Sequence, residues 1–296
     1  MNRDERSIVL LHDDPELFLS AVNFTAATTG FAARVIEKDY FCSVLLNRLF
    51  KEQGALPVFK GGTCLAKVYA GFYRLSEDLD FAIPLPVESK RNERRRQVEH
   101  FKKMIDSLPG KLPTFHLVEP LRGANESTQY IGILGYQSLL YHQKETIKIE
   151  VGLREPLLQA AAKQKTRTNL LDPITNQQII EPFNTICITR KEAYAEKFRA
   201  AMTRREPAIR DFFDIDFAVR QLGLVATDPL LLRMIQTKLQ VPGNESIDVT
   251  EKRLELLRLQ KESKLRPVLR NSDYQAFDLE RAFCLIRETA SLLGEK

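Results

Sequence analysis

The stretch KGGTCLAKVYAGFYRLSEDLDF, Lys60 to Phe81, decides how the rest of the chain is read. A short apolar run, Leu56 to Phe59, leads into it and reads as a buried strand. Adjacent glycines, Gly61 and Gly62, let the backbone turn tightly and bring its N–H groups close to an anion. Asp78 and Asp80 lie two apart. On a strand such residues share a face, so both carboxylates converge on one spot. Converging carboxylates repel unless a cation lies between them, and Mg²⁺ takes one or two protein carboxylates together with substrate phosphates. Asp-x-Asp is also common on solvated surfaces, and Gly-Gly-Thr alone is a turn. The order strand, Gly61-Gly62-Thr63, helix, Asp78-Leu-Asp80 points to a metal–nucleotide site, because Leu79, Phe81 and Ile83 alternate with the acids as core residues.

Gly61-Gly62-Thr63 followed by Asp78-Leu-Asp80 resembles the signature of the nucleotidyltransferase superfamily with the DNA-polymerase-β-like fold. The longer form, KGGT followed by R-x-SEDLDF, is similar to the AbiEii/MenT family of nucleotidyltransferase toxins, the toxin halves of type IV toxin–antitoxin and abortive-infection systems. The resemblance covers roughly residues 34 to 220 and takes in Glu37-Lys38-Asp39-Tyr40. It implies a nucleotide site that includes Lys60, Gly61, Gly62, Thr63 and Ser76. It also implies tRNA, at its 3′ end, as acceptor, and a cognate antitoxin as partner.

Composition bounds the reading without deciding it. The 296 residues are 44% hydrophobic and 28% charged, with no tryptophan and a net charge of +5. That length allows one large domain or two modest ones. The mild basic excess is compatible with nucleic acid and does not require it. Cys42, Cys64, Cys187 and Cys284 have no metal-ligand spacing and read as reduced core residues. The four histidines do not cluster, which argues against zinc. No N-terminal signal segment and no membrane-length apolar run is evident, so a cytoplasmic location is expected; the expected oligomeric state is a monomer.

Helices are expected at Pro15 to Phe24 and from Ala32 to Glu52, where Gly54 ends the second. On the latter, Glu37-Lys38-Asp39 reads as a solvated face, with a site-facing role open for Lys38 or Asp39. A charged helix from Glu88 to Lys103 packs Val98, Phe101, Met104 and Ile105 inward. Its Arg91, Arg94, Arg95 and Arg96 form either a solvated face or a contact for a phosphate backbone. Strands follow at Phe115 to Leu121, Thr128 to Tyr136 and Thr146 to Leu153. In the last, Lys148 and Glu150 face away from the apolar side. Glu150 is the candidate third carboxylate, able to complete a metal site or accept a proton from an attacking hydroxyl. The resembled superfamily usually has Asp there, so a plain strand position remains the alternative.

Residues 155 to 188 resist reading until a short strand at Thr185 to Ile188. Thr189-Arg-Lys-Glu192 is a capping box opening a helix to about Arg204. A second helix runs from Ala208 to Leu222. Lys197, Arg204, Arg210, Asp211 and Asp214 together are similar to the family's downstream motif. A compact ammonium at Lys197 suits charge developing on leaving pyrophosphate, oriented by Asp211 and Asp214. The alternative is a salt-bridge set between two helices. Pro229 to Leu239, Val249 to Lys264 and Asp273 to Leu293 complete a helical lobe.

The expected fold is α/β (α+β), a small mixed sheet flanked by helices, over residues 1–188, with a C-terminal helical domain over 189–296. The expected function is transfer of a nucleotide from an NTP to an acceptor hydroxyl, with Asp78, Asp80 and Glu150 around Mg²⁺ (or Mn²⁺). The alternatives are a nucleotide- or RNA-binding module without turnover, and transfer to a small molecule or a protein.

Overall fold

A computed structural model of the chain describes residues 10–52 and 57–294. The start of the apolar run at Leu56, the helix stop at Gly54 and the charged N-terminal segment lie outside the described residues. Contacts divide the chain into two compact units. One runs through residue 157 and takes back 161–188; the other comprises 158–160 and everything from Thr189 onward.

In the first unit, α1 (Pro15–Thr29) is capped by the Asp14 side chain and closed by Gly30, whose φ of 78° is the left-handed value glycine adopts without penalty. α2 (Ala33–Lys51) follows directly. β1 (Val58–Lys60) leads into α3 (Gly61–Cys64), which widens into a π turn over Leu65–Tyr69. β2 (Leu79–Ala82) and α4 (Arg91–Lys111) come next. β3 (Phe115–Ala124), β4 (Gln129–Gln137) and β5 (Lys144–Gly152) form a meander. β6 (Ala162–Thr166) and β7 (Phe183–Cys187) complete the strands. Among the described residues, seven strands make one mixed sheet in the order β3-β4-β5-β2-β1-β7-β6.

Alternation decides what each face does. Phe59, Phe81, Val151 and Tyr130 are buried on one face. There Phe81 meets Phe50 of α2 and Phe101 of α4, at ring-centroid distances of 6.4 and 5.3 Å. One residue along each strand the side chains turn to the other, half-exposed face, and those residues are Lys60, Asp80, Glu150 and Ile131.

Two expectations are corrected here. Glu37 and Asp39 are not on a solvated face; both are buried. Glu37 accepts hydrogen bonds from the Ser138 hydroxyl at 2.7 Å and the Leu139 N–H at 2.8 Å. Asp39 holds the Lys67 ammonium at 2.7 Å. Burial is tolerated because each charge has its partner. β6, unseen in the sequence, pairs antiparallel with β7 as an edge strand.

The second unit is helical. α5 (Arg190–Thr203), α6 (Ile209–Gln221), α7 (Pro229–Leu239) and α8 (Glu251–Arg258) precede α9 (Asn271–Ala276) and α10 (Leu279–Gly294). Thr189 caps α5 by accepting from the Glu192 N–H. Glu192, however, does not reach back to close the box. Its carboxylate accepts from the Leu158 and Gln159 N–H groups at 2.8 and 3.0 Å, and pairs with Lys238 at 2.8 Å. The expected single last helix is broken at Phe277, which takes extended geometry and packs in T-shaped contact with Phe213. The stretch read as one helix from Val249 to Lys264 is divided between α8 and a π turn at Lys261–Leu265.

Candidate active site

Strand register assembles the site. β2 pairs antiparallel with β1, opposing Lys60 to Asp80, and parallel with β5, opposing Asp80 to Glu150. Three charged side chains therefore stand abreast on one face of neighbouring strands. β2 begins at Leu79, so Asp78 lies just before the strand. Its backbone is held instead by the Thr63 hydroxyl, which donates to the Asp78 carbonyl. Thr63 is buried, and its hydroxyl is committed to this bond.

The two glycines are required by close approach. Gly61 has φ of 77°, and a Cβ there would lie 2.1 Å from Asp80 Oδ2. A Cβ on Gly62 would meet the Arg74 guanidinium at 2.4 Å and the Ser76 hydroxyl at 3.2 Å. The Gly-Gly turn thus lies directly against Asp80 on one side and Arg74 and Ser76 on the other.

Negative charge accumulates at this place. Burial, then Glu150 and Asp78, push the Asp80 carboxyl up from 3.8 to about 6, while Lys148 and Lys60 pull it down. Lys148 lies 3.2 Å from Glu150 Oε2 and 3.7 Å from Asp78 Oδ2. Burial works against its charge, yet Asp78, Glu150 and Asp80 together raise its pKa. Gln129, at the start of β4, donates to Glu150 Oε1 at 2.6 Å. Lys38 reaches Glu77, next to Asp78, at 3.4 Å.

Lys148 and Gln129 were not singled out from sequence, and Arg74 only as the first residue of the R-x-SEDLDF string. Lys148 carried a usable signal, since it shares a strand face with Glu150. Gln129 carried none, because only the β4–β5 register brings it to Glu150.

Carboxylate oxygens are the donors Mg²⁺ and Mn²⁺ prefer. Among the described residues no three His, Cys, Asp or Glu side chains are gathered closely enough to hold a metal by themselves. The Lys148 ammonium lies between Asp78 and Glu150. The residues therefore fit an ion bound by Asp78 and Asp80 and completed by substrate oxygens, rather than a closed protein cage.

Lys197 and Asp211 belong to the second unit. The Lys197 ammonium lies 2.7 Å from Asp211 and 2.8 Å from Asp214, and Asp211 also meets Arg204 at 3.3 Å. Burial disfavours the Asp211 charge, but Lys197 and Arg204 outweigh it and lower its pKa.

Comparison with known proteins agrees with a nucleotidyltransferase fold. JHP933 from Helicobacter pylori superposes with a TM-score of 0.51 at 15% identity, covering 89% of this chain and 93% of its own. A second H. pylori structure, provisionally named a nucleotidyltransferase, gives a TM-score of 0.52 at 14% identity, covering 89% of this chain and 96% of its own. No curated protein matches the sequence significantly. The family model described as nucleotidyl transferase AbiEii toxin, type IV TA system, matches residues 44–282, and the chain belongs to that family. Membership in a toxin–antitoxin family implies an antitoxin partner. No helix among the described residues is long and apolar enough to cross a membrane.

Proposed function

We propose that this chain transfers a nucleotidyl group from an NTP to a hydroxyl of RNA, with the 3′ end of tRNA as acceptor and blocked translation as the consequence. The observation that carries the reading is the register that sets Asp80 abreast of Glu150 with Asp78 beside them. In the reaction the acceptor oxygen forms a bond to the α-phosphorus, the bond from that phosphorus to the α–β bridging oxygen breaks, and pyrophosphate leaves. Glu150 takes the acceptor proton, its other oxygen held by Gln129. Asp78 and Asp80 would hold Mg²⁺, or Mn²⁺ in its place, and the bound ion would supply charge neutralisation at the phosphates. Gly61 and Gly62 present backbone to the phosphates, with Lys60 and Ser76 alongside, and Thr63 acts by fixing Asp78.

The test is incubation with α-labelled NTPs, Mg²⁺ and total RNA. Wild type should label a tRNA-sized band, and Asp80→Asn should lose nearly all labelling. Glu150→Gln should fall by at least roughly 10²-fold. An Asp80→Asn variant that labels RNA normally would sink the site. One observation favours a rival, a binding module without turnover: the Lys148 ammonium already lies between two of the acids. Wild type that binds NTP and RNA yet labels nothing would establish that reading instead.

A further inference from the structure

We propose that a groove between α4 and the β3–β4 corner binds the phosphodiester backbone of a single nucleic-acid strand. The groove has a volume of about 330 Å³, and its rim carries Arg91, Arg95, Lys102 and Arg122 against one acid, Glu99. Lys102 and Glu99 lie 3.9 Å apart. Arg91, Arg95 and Arg122 are exposed, and none makes an ion pair or side-chain hydrogen bond among the described residues. Arginines are usually placed where their forked donors meet carboxylate or phosphate. Here three converge on one groove with those donors unspent.

The remaining arginines of this helix behave differently. Arg94 donates to the Val87 carbonyl at 3.2 Å, and Arg96 lines a separate hollow with Glu88 and Glu93. The structure thus separates a cationic line from a run that looks uniform in sequence.

Spacing selects a polymer over a small anion. Arg91, Arg95 and Lys102 span twelve residues of α4, about 16 Å along the axis from first to last. A single phosphate cannot engage all of them, whereas a chain of phosphates can. Beneath the charged rim lie Val98, Leu121 and Tyr130, all buried. Cations over a low-dielectric wall act more strongly on an anion than the same cations surrounded by water. Ser127, on the far wall, ends a run in which Asn125, Glu126 and Ser127 have φ of 48°, 53° and 65° in succession. Three left-handed non-glycine residues in a row are costly, and such strain persists where the surroundings impose it.

β4 contributes to both the groove and the candidate active site. Tyr130 faces the groove, while its neighbour Gln129 turns to the other face and holds Glu150. The groove and the site thus lie on opposite faces of the sheet, one residue of β4 apart. This link to transfer rests on the proposed function; binding of the strand does not.

The measurement is fluorescence anisotropy of a labelled single-stranded 20-nucleotide RNA, and of the matching DNA, across roughly 50 to 200 mM salt. R91Q/R95Q/R122Q should bind at least tenfold more weakly at low salt. Its log K against log salt slope should be shallower by about 2, from three lost contacts at about 0.7 each. R91K/R95K/R122K should keep most of the affinity, and K90Q/R96Q, on the neighbouring hollow, should bind as wild type. Binding of both RNA and DNA supports a backbone site; preference for RNA supports it with an added 2′-hydroxyl contact. Wild-type affinity and slope in the glutamine triple variant would overturn the inference. So would poly-glutamate displacing the strand as well as an oligonucleotide of equal charge, which would assign the groove to an acidic protein. Asp80→Asn should keep strand binding. Loss of transfer with binding intact therefore bears on the active site, and loss of binding with transfer intact bears on the groove.

Discussion

Asp80 is where local packing and chemistry meet most directly. Its carboxyl is raised to about 6 from 3.8, first by burial and then by Glu150 and Asp78. A carboxyl harder to ionise in the folded state than in the unfolded chain destabilises the fold wherever both forms are ionised. In the metal-free protein, Asp80→Asn is therefore expected to be more stable than wild type at pH 8, by on the order of 2 kcal/mol. The gain should be complete above pH 6, shrink as pH falls from 6 toward 3.8, and vanish below. Millimolar Mg²⁺ should reverse the ranking, because only wild type then gains a ligand for its concentrated charge. Thermal melts at pH 4 and 8, with and without Mg²⁺, decide the matter. An asparagine variant with the same advantage at both pH values would mean that Asp80 is not electrostatically burdened. Lys148 partly relieves the same burden from 3.2 Å away at Glu150.

At the level of elements, α2 and the turn after Gly-Gly-Thr are joined by a buried charge pair. Lys67 has no exposed surface, and it donates to the Asp39 carboxylate at 2.7 Å, the Asp39 carbonyl at 3.1 Å and the Ser43 hydroxyl at 2.7 Å. Removing one partner of such a pair leaves an uncompensated charge, at about 3–5 kcal/mol, whereas replacing both by apolar groups can be nearly neutral. Lys67→Met should thus lower the urea midpoint sharply, and Lys67→Met/Asp39→Leu should recover much of the loss. Equal midpoints for the single variant and wild type would show that the pair does not anchor this segment. Neither acid of Glu37-Lys38-Asp39 was legible as buried, because the partners Ser138 and Lys67 lie about a hundred and about thirty residues away. The meander β3–β5 and helices α2, α4, α5 and α6 were legible, since each alternates or repeats at its own period over many residues. β6 was not, because Ala162-Lys-Gln-Lys-Thr166 is a lysine-bearing edge with no apolar alternation. In the site, Asp78, Asp80 and Glu150 could be read from motif and alternation, whereas Gln129 depends wholly on register. The break before α10 had a readable sign in Asp278, which accepts from the Arg281 N–H.

For the whole molecule, the family match spans residues 44–282 and so includes parts of both units. The helical unit does not begin cleanly at Thr189. It includes residues 158–160, whose N–H groups at Leu158 and Gln159 satisfy the fully buried Glu192 carboxylate. Lys238 supplies the remaining charge partner at 2.8 Å. A fragment cut at Thr189 keeps Glu192 and Lys238 and loses both N–H donors. Hydrogen bonds to a charged group are worth about 1.5–3 kcal/mol each, so their loss should cost roughly 3 kcal/mol or more. That is a large share of the stability of a helical unit of this size. Fragment 189–296 is therefore expected to melt well below fragment 156–296 when both are followed by circular dichroism. The 161–188 stretch in the longer fragment belongs to the other unit. Glu192→Gln should narrow the gap, because an amide left without those donors is a smaller burden than a buried carboxylate. Coincident melts for the two fragments would show that residues 158–160 merely pass by, and that the unit is complete from Thr189.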